Sequence, residues 1–211
     1  TLLGGAVSLA VGFGAAAVAT LIGTAVGAAA GMSGAAGGRL DAVLMRLVDL
    51  VPGLPSILLV VLVGLSTDGL LSRAAWEPGP VMRQSVDLLV LIVAVGGVSW
   101  LTMARVIRGR ALSLARAPFM EATAAIGMGP GRRLVRHLVP NLAGTIAAYA
   151  ALAVPAAILS ETFLSFLGLG VREPLPSWGS LAAAGIAEVS PVRTRWWLLA
   201  VPCLMVAAVL V

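Results

Sequence analysis

The feature that most constrains this chain is its first apolar run, which extends from about Leu2 to Ala30 without a single charged side chain. A helix needs about 20 apolar residues to cross the hydrocarbon core of a bilayer. The whole chain is similarly apolar, with 60% hydrophobic residues, 11% charged residues and a mean hydropathy of +1.05. A soluble fold of 211 residues could not bury that much apolar surface in one core. The sequence therefore predicts an integral membrane protein.

Four further apolar runs follow the first, and each is a candidate membrane-spanning helix; they cover residues 50–65, 88–103, 142–159 and 196–211. Three prolines inside these runs, Pro52, Pro55 and Pro155, remove backbone donors and are expected to bend the helices. The predicted fold is a single all-α, polytopic transmembrane domain over 1–211 with about five visible spans. We expect an N-terminal span and the C-terminal end to lie outside this stretch.

Arginine is concentrated between the third and fourth apolar runs, where Glu121 is the only acid. The arginines of this segment are Arg105, Arg108, Arg110, Arg116, Arg132, Arg133 and Arg136. Because basic residues are enriched in cytoplasmic loops, residues 105–139 are predicted to lie in the cytoplasm. Counting spans outward places 31–49 on the same side and 66–87 and 163–195 outside.

The composition excludes several chemistries. All 14 basic residues are arginine, so the chain lacks the lysine of a phosphate-binding P-loop and of a Schiff-base enzyme. The single histidine (His137) and the single cysteine (Cys203) cannot form a zinc cage or a disulfide. We therefore expect no catalytic site, metal or cofactor in this chain. Its net charge of +5 is attributed to membrane topology and not to nucleic-acid binding.

Gly23, Gly27 and Gly31 recur every four residues in the first span and therefore lie on one face of a helix. Such a stripe lets a neighbouring backbone approach closely. The favoured interpretation is close packing within the subunit, and the alternative is pairing with a partner subunit.

The segment 117–139 is short, basic and interrupted by glycine. Pro118 suits the first turn of a helix, and Glu121 follows where the helix dipole favours an acid. Gly127 and its neighbours are predicted to end this helix, and a second basic helix is predicted from Arg132 to Leu138. The result is a helix–turn–helix, here called the elbow, with a compact knob that could dock in a partner's groove.

The elbow carries a recognisable pattern. Residues 121–123 read Glu-Ala-Thr, Gly127 follows, and 138–140 read Leu-Val-Pro. This pattern resembles the "EAA" signature of bacterial ABC importer permeases. The departures from the family pattern are Thr123 for the second alanine, His137 for isoleucine and Val139 for leucine.

Other segments resemble the dipeptide/oligopeptide/nickel branch of that family, and in particular its C-type permease subunit. They are residues 46–49 with 54–56, 104–109, 160–170 (SETFLSFLGLG) and 174–180 (PLPSWGS). The resemblance covers nearly the whole chain, from about residue 1 to 200. It implies the MetI-like helix bundle of type I ABC importer permeases, located in the bacterial inner membrane.

By this resemblance, the chain would work with a second homologous permease subunit, two ATPase subunits and an extracytoplasmic solute-binding protein. ATP and Mg would be bound by the ATPase subunits. The elbow helix would couple ATP hydrolysis to transport through Arg116, Pro118, Phe119, Met120, Glu121, Ala122, Thr123, Ala124 and Gly127. Glu121 would cap the helix or pair with a basic group of the ATPase.

The translocation path is less clearly marked. Its candidate lining or gating residues are Pro55, Ser56, Ser99, Met103, Pro155 and Glu161. Ordinary helix packing is the alternative for the first five. An acid close to an apolar span is costly and often functional, so Glu161 could line the outer mouth or hold a gate. Capping, or pairing with an arginine such as Arg172, is equally favoured for Glu161.

Three alternative functions exist for a chain of this composition. An importer of nickel chelates or another solute from the same branch remains open. A secondary transporter would need inverted repeats and several buried charges, and neither is evident. Residues 31–34 match the Gly-x-Ser-Gly of rhomboid-type intramembrane proteases, but Ser33 would need a facing histidine, and His137 lies in an arginine cluster.

Overall fold

The computed structural model describes residues 1–53, 55–73, 79–171, 174–189 and 195–210. Their regular structure is helical, which confirms the all-α prediction. The helices are α1 (Leu2–Ala35), α2 (Arg39–Leu50), α3 (Ser56–Arg73), α4 (Pro80–Ala115), α5 (Pro118–Ala125), α6 (Pro130–Arg133), α7 (Val139–Asn141), α8 (Ala143–Phe166), α9 (Trp178–Ala187) and α10 (Trp197–Leu210). A 3₁₀ turn covers Val51–Gly53, and a π-helical turn covers Leu134–Leu138.

Among the described residues, three helices are long and apolar enough to cross a membrane: α1, α4 from Val81, and α8. Shorter apolar helices cover Ile57–Thr67, Trp178–Ala187 and Trp197–Leu210. The third predicted span, 88–103, lies within α4, and the helix itself continues beyond it to Ala115. Arginine is a good helix former, so the basic residues after Met103 do not end the helix.

The second predicted span needs a larger correction. Instead of bending one helix, Pro52 and Pro55 separate two helices, because α2 ends at Leu50 and α3 begins at Ser56. Proline cannot donate a backbone hydrogen bond and disfavours helical geometry in the residue before it. By contrast, α8 continues through Pro155.

The chain divides into two units. Unit 1 comprises Thr1–Ala16, Pro55–Val98 and Val154–Val211. A buried cluster within its described residues consists of Val11, Ala15, Val60, Leu91, Ala94, Val95, Ala157 and Leu164.

Within unit 1, helix α9 is held against α1. The backbone N–H of Trp178 donates to the hydroxyl of Ser8 over 3.1 Å, and Ser177 and Ser180 form a capping box at the start of α9. The predicted outer segment 171–195 therefore contains a helix, although 172–173 and 190–194 lie outside the described residues.

Unit 2 comprises Ala17–Leu54 and Ser99–Ala153, and it contains the glycine stripe. A Cβ on Gly23 would lie 2.5 Å from Met103 Cβ, and one on Gly27 would lie 2.5 Å from the Ala104 carbonyl oxygen. A Cβ on Gly31 would lie 2.6 Å from Ala111 Cβ. The stripe therefore packs directly on α4, as the within-subunit interpretation expects.

Candidate functional site

The first arm of the elbow is the eight-residue helix α5. Ala117 precedes it in an extended conformation, and Pro118 occupies its first turn. At its other end, Gly127 adopts a φ of +79°. The N–H of Met128 donates to the Thr123 carbonyl over 3.1 Å, and that of Gly127 donates to Ala124 over 2.9 Å. This Schellman arrangement ends the helix, as the sequence predicts, and it requires the left-handed conformation at Gly127.

Two of the predicted coupling residues anchor α5. Met120 is fully buried and packs with Ile107 and Leu138 of the unit 2 core. Thr123 is also buried, and its hydroxyl donates to the Met120 carbonyl over 2.7 Å. Thr123 therefore lies on the inner face of α5, whereas its neighbours Ala122 and Ala124 are exposed.

The second arm of the elbow is tied to the first by Arg133. Its Nε donates to the Thr123 hydroxyl over 3.1 Å, and its Nη2 donates to the Met120 carbonyl over 2.9 Å. The sequence prediction did not include Arg133 among the coupling residues. Its only signal was the hydroxyl at position 123, where the family pattern has alanine.

The outer face of α5 presents the remaining predicted residues. Phe119, Glu121, Ala122 and Ala124 are exposed, as is Ile126 just beyond the helix. Within the described part of the chain, the Glu121 carboxylate has neither an ion-pair nor a hydrogen-bond partner, and no side chain caps the start of α5. The expected capping role of Glu121 is therefore wrong. Its carboxylate is available to a cation on another molecule.

Glu121 and the exposed Arg116 also line a groove of about 590 Å³ in unit 2. The groove is completed by the end of α1, the start of α2 and the second arm of the elbow; its other lining residues are Ala29, Met32, Ser33, Ala35, Ala36, Leu40, Ala115, Pro130, Gly131, Arg133 and Leu134. The groove therefore has both a positive charge (Arg116) and a negative charge (Glu121) among its lining residues.

The predicted second helix, Arg132 to Leu138, differs in the structure. The helix starts at Pro130, changes to a π turn over Leu134–Leu138 and continues through α7. The N–H of Val139 bonds to Leu134, and the Asn141 side chain donates to the His137 carbonyl over 2.7 Å. Pro140 explains the wide turn, because its nitrogen cannot donate to the carbonyl four residues earlier.

His137 lies in this π turn. Its Nε2 atom is buried and has no hydrogen-bond partner among the described residues, so it is not paired with Ser33. The geometry therefore does not provide the serine–histidine pair that a rhomboid-type site requires.

Helix α2 is clamped to α4 near the elbow. Arg108 donates to both carboxylate oxygens of Asp41 over 2.5 and 2.7 Å, and the hydrogen bonds from Arg108 hold the pKa of Asp41 below its ordinary value of 3.8. Arg105 donates to Asp49 over 3.2 Å and to the Val48 carbonyl over 3.0 Å. The sequence prediction used these arginines as topological signals and as part of the family resemblance, but not as ion-pair partners of α2.

The candidate path residues are divided between the two units. Pro55, Pro155 and Glu161 belong to unit 1, whereas Ser99 and Met103 belong to unit 2. Met103 is buried against the glycine stripe, which matches the packing alternative. The side chain of Ser56, also in unit 1, lies outside what the structure describes.

Glu161 is fully buried in α8. It accepts hydrogen bonds from the Ser165 hydroxyl over 2.7 Å and from the Thr162 hydroxyl over 3.4 Å. Ser165 Oγ in turn accepts from the Val171 N–H over 3.0 Å. Glu161 is therefore hydrogen bonded inside unit 1, and its alternative partner Arg172 lies outside the described residues.

Comparisons with known proteins agree on one family. The model of the family described as "Binding-protein-dependent transport system inner membrane component" matches residues 23–211. The oligopeptide transport system permease protein OppC of Escherichia coli K12 is 44% identical over 202 residues, covering 95% of this chain and 59% of the relative. OppC of Bacillus subtilis is 36% identical over 190 residues, covering 90% and 56% of the two chains. The dipeptide transport system permease protein DppC of Bacillus subtilis is 34% identical over 204 residues, covering 97% and 57%. The chain thus spans less than two thirds of these relatives.

Proposed function

The chain belongs to the family of binding-protein-dependent transport system inner membrane components, and we propose that it is a membrane-spanning permease subunit of an ATP-driven peptide importer. The observation that carries the proposal is helix α5, whose inner face is anchored by Met120 and Thr123 and whose outer face is free for docking. The names of the relatives support oligopeptides or dipeptides as the cargo.

The proposed complex contains this chain, a second homologous permease subunit, two ATPase subunits and an extracytoplasmic binding protein. ATP and Mg are bound and used by the ATPase subunits, and this chain has no catalytic role. The arginines of 105–139 support a cytoplasmic elbow in a protein of the bacterial inner membrane.

In the proposed mechanism, α5 lies in a groove of an ATPase subunit. Phe119 and Ile126 supply apolar contacts at the ends of the exposed face, and Glu121 pairs with a basic group of the ATPase. Closure of the ATPase pair pulls α5, and the Arg133 hydrogen bonds transmit this pull to the second arm and α8. The spans then rock between inward-open and outward-open states.

The test is the charge reversal Glu121→Arg in the assembled transporter. We expect it to abolish ATP-dependent peptide uptake and copurification of the ATPase, because the new cation repels the basic partner group. The amount of protein inserted in the membrane should stay normal, since Glu121 is exposed and unpaired within the described chain. The matched control is Arg110→Glu, which reverses an exposed charge on α4 outside α5. Normal uptake by Glu121→Arg at normal abundance would overturn the coupling role.

A further inference from the structure

Helix α2 carries an exposed apolar stripe, and only its first residue, Leu40, also borders the groove beside the elbow. Leu40, Val43, Leu47 and Leu50 recur at intervals of three and four residues, so they lie on one face of the helix. Between 52% and 72% of each residue's surface is exposed. In contrast, Val48 is fully buried and packs with Leu101 and Ala104 of α4. The stripe is therefore a second apolar face, separate from the one that packs on α4.

The charges of α2 are divided in the same way. Its two acids, Asp41 and Asp49, are both paired with arginines of α4. Its two arginines, Arg39 and Arg46, are exposed and have no partner among the described residues. The outer surface of α2 consequently combines an apolar stripe with two unneutralised positive charges.

The position of α2 also suits a membrane surface. It starts at Arg39, directly after the turn that follows Ala35, the last residue of the long apolar helix α1. With 12 residues it is about 18 Å long, too short to cross a hydrocarbon core of about 30 Å. A short amphipathic helix that directly follows a spanning helix is placed where that span leaves the bilayer.

We propose that α2 is an in-plane membrane helix that binds anionic phospholipids. The stripe enters the boundary between headgroups and acyl chains, and Arg39 and Arg46 contact lipid phosphates. The ion pair between Asp41 and Arg108 fixes this helix to α4, which leads directly into the elbow. Bound lipid thereby holds the end of α4 that carries α5. The inference rests on membrane insertion and not on the proposed transport activity.

The depth of α2 is measured in nanodiscs that contain the intact chain with Cys203→Ser and one new cysteine carrying an environment-sensitive fluorophore. The test site is Leu47→Cys on the stripe, and the matched control is Ala42→Cys, which is exposed on another face of the same helix. We expect lipids brominated near the glycerol end of their acyl chains to quench the Leu47 label several-fold more than the Ala42 label. Equal quenching at the two sites would overturn the proposal.

Lipid selectivity is measured by native mass spectrometry of phosphatidylglycerol retained on the same chain. Removing Arg39 and Arg46 by substitution with glutamine should weaken retention about fivefold per arginine. Arg195→Gln is the control, because its guanidinium already pairs with Glu188 at 3.6 Å. Unchanged retention after both substitutions would refute a headgroup site.

A photo-cross-linking amino acid placed at Leu47, in whole cell membranes, shows whether the stripe contacts lipid or another protein. Lipid adducts are expected. Adducts with a protein in place of lipid would assign the stripe to a subunit interface and overturn the proposal.

Discussion

The guanidinium of Arg133 donates a hydrogen bond to the hydroxyl of Thr123 over 3.1 Å, and this contact joins the two arms of the elbow. A second donor of Arg133 reaches the Met120 carbonyl, which also accepts from Thr123. Three polar groups are thus satisfied together beneath the exposed face of α5. A force applied to that face reaches the second arm through this network as well as through the turn.

Thr123→Val should loosen the elbow without changing its shape. Valine has nearly the same shape as threonine but lacks the hydroxyl that accepts from Arg133, and a hydrogen bond to a charged group contributes about 1.5–3 kcal/mol. We expect amide hydrogen exchange in α5 to accelerate and peptide uptake to fall, with normal insertion. Thr123→Ser is the control, because it retains the hydroxyl. Unchanged exchange in Thr123→Val would show that the network does not hold α5.

Gly127→Leu should disturb the end of α5 through backbone conformation. Gly127 has a φ of +79°, where a residue with a side chain pays about 1–2 kcal/mol. Gly129 is the matched control, because it is also exposed and has open space around it but has a φ of −62°. Gly127→Leu is expected to abolish uptake at normal abundance, whereas Gly129→Leu should retain more uptake. Equal uptake by the two variants would mean that the left-handed conformation is unimportant.

The sequence predicted the spans better than their ends. The uncharged run from Leu2 to Ala30 can satisfy its backbone hydrogen bonds in a bilayer by forming a helix, so α1 could be predicted. The continuation of α4 past Met103 was missed, because hydropathy reports where a helix leaves the membrane and not where it ends. The break between α2 and α3 was missed because two prolines three residues apart are compatible with either a bend or a separation.

The elbow was located by its pattern, but its internal contacts could not be predicted. The start and the end of α5 could be predicted from local sequence. An acid such as Glu121 is favoured in the first turn by the helix dipole, and a glycine such as Gly127 is favoured in the left-handed turn that ends a helix. The contact between Thr123 and Arg133, ten residues apart, depends on how the turn between them positions the second arm. The ion pair between Asp41 and Arg108, which are 67 residues apart, depends on how α2 packs against α4.

Asp41→Asn should destabilise unit 2 in a pH-dependent way. Hydrogen bonds from Arg108 lower the pKa of Asp41, so the ionised carboxylate stabilises the fold fully above its ordinary value of 3.8. This contribution is lost as the pH falls through the lower pKa of the folded state. Thermal unfolding in detergent should show the wild type more stable at pH 7, by about 1.5–3 kcal/mol. The difference should persist to about pH 4 and shrink below it, whereas a difference that shrinks between pH 7 and 5 would exclude this ion pair as its source.

Ser165→Ala should destabilise unit 1 by removing the link between Glu161 and the segment after α8. The Ser165 hydroxyl donates to the buried carboxyl of Glu161 and accepts from the Val171 N–H, so its loss leaves two polar groups without this partner. Each buried group left unsatisfied costs about 1–3 kcal/mol. Ser160→Ala is the matched control in the same helix, because Ser160 is exposed and bonds only to the Ala156 carbonyl, and it should change stability by less than about 0.5 kcal/mol. Thermal unfolding measures the stability of the two serine variants. Peptide uptake by a Glu161→Gln variant then tests whether the carboxyl has a role beyond this link. If Ser165→Ala is as stable as Ser160→Ala, the burial of Glu161 does not depend on the hydroxyl, and the segment after α8 is held by its packing.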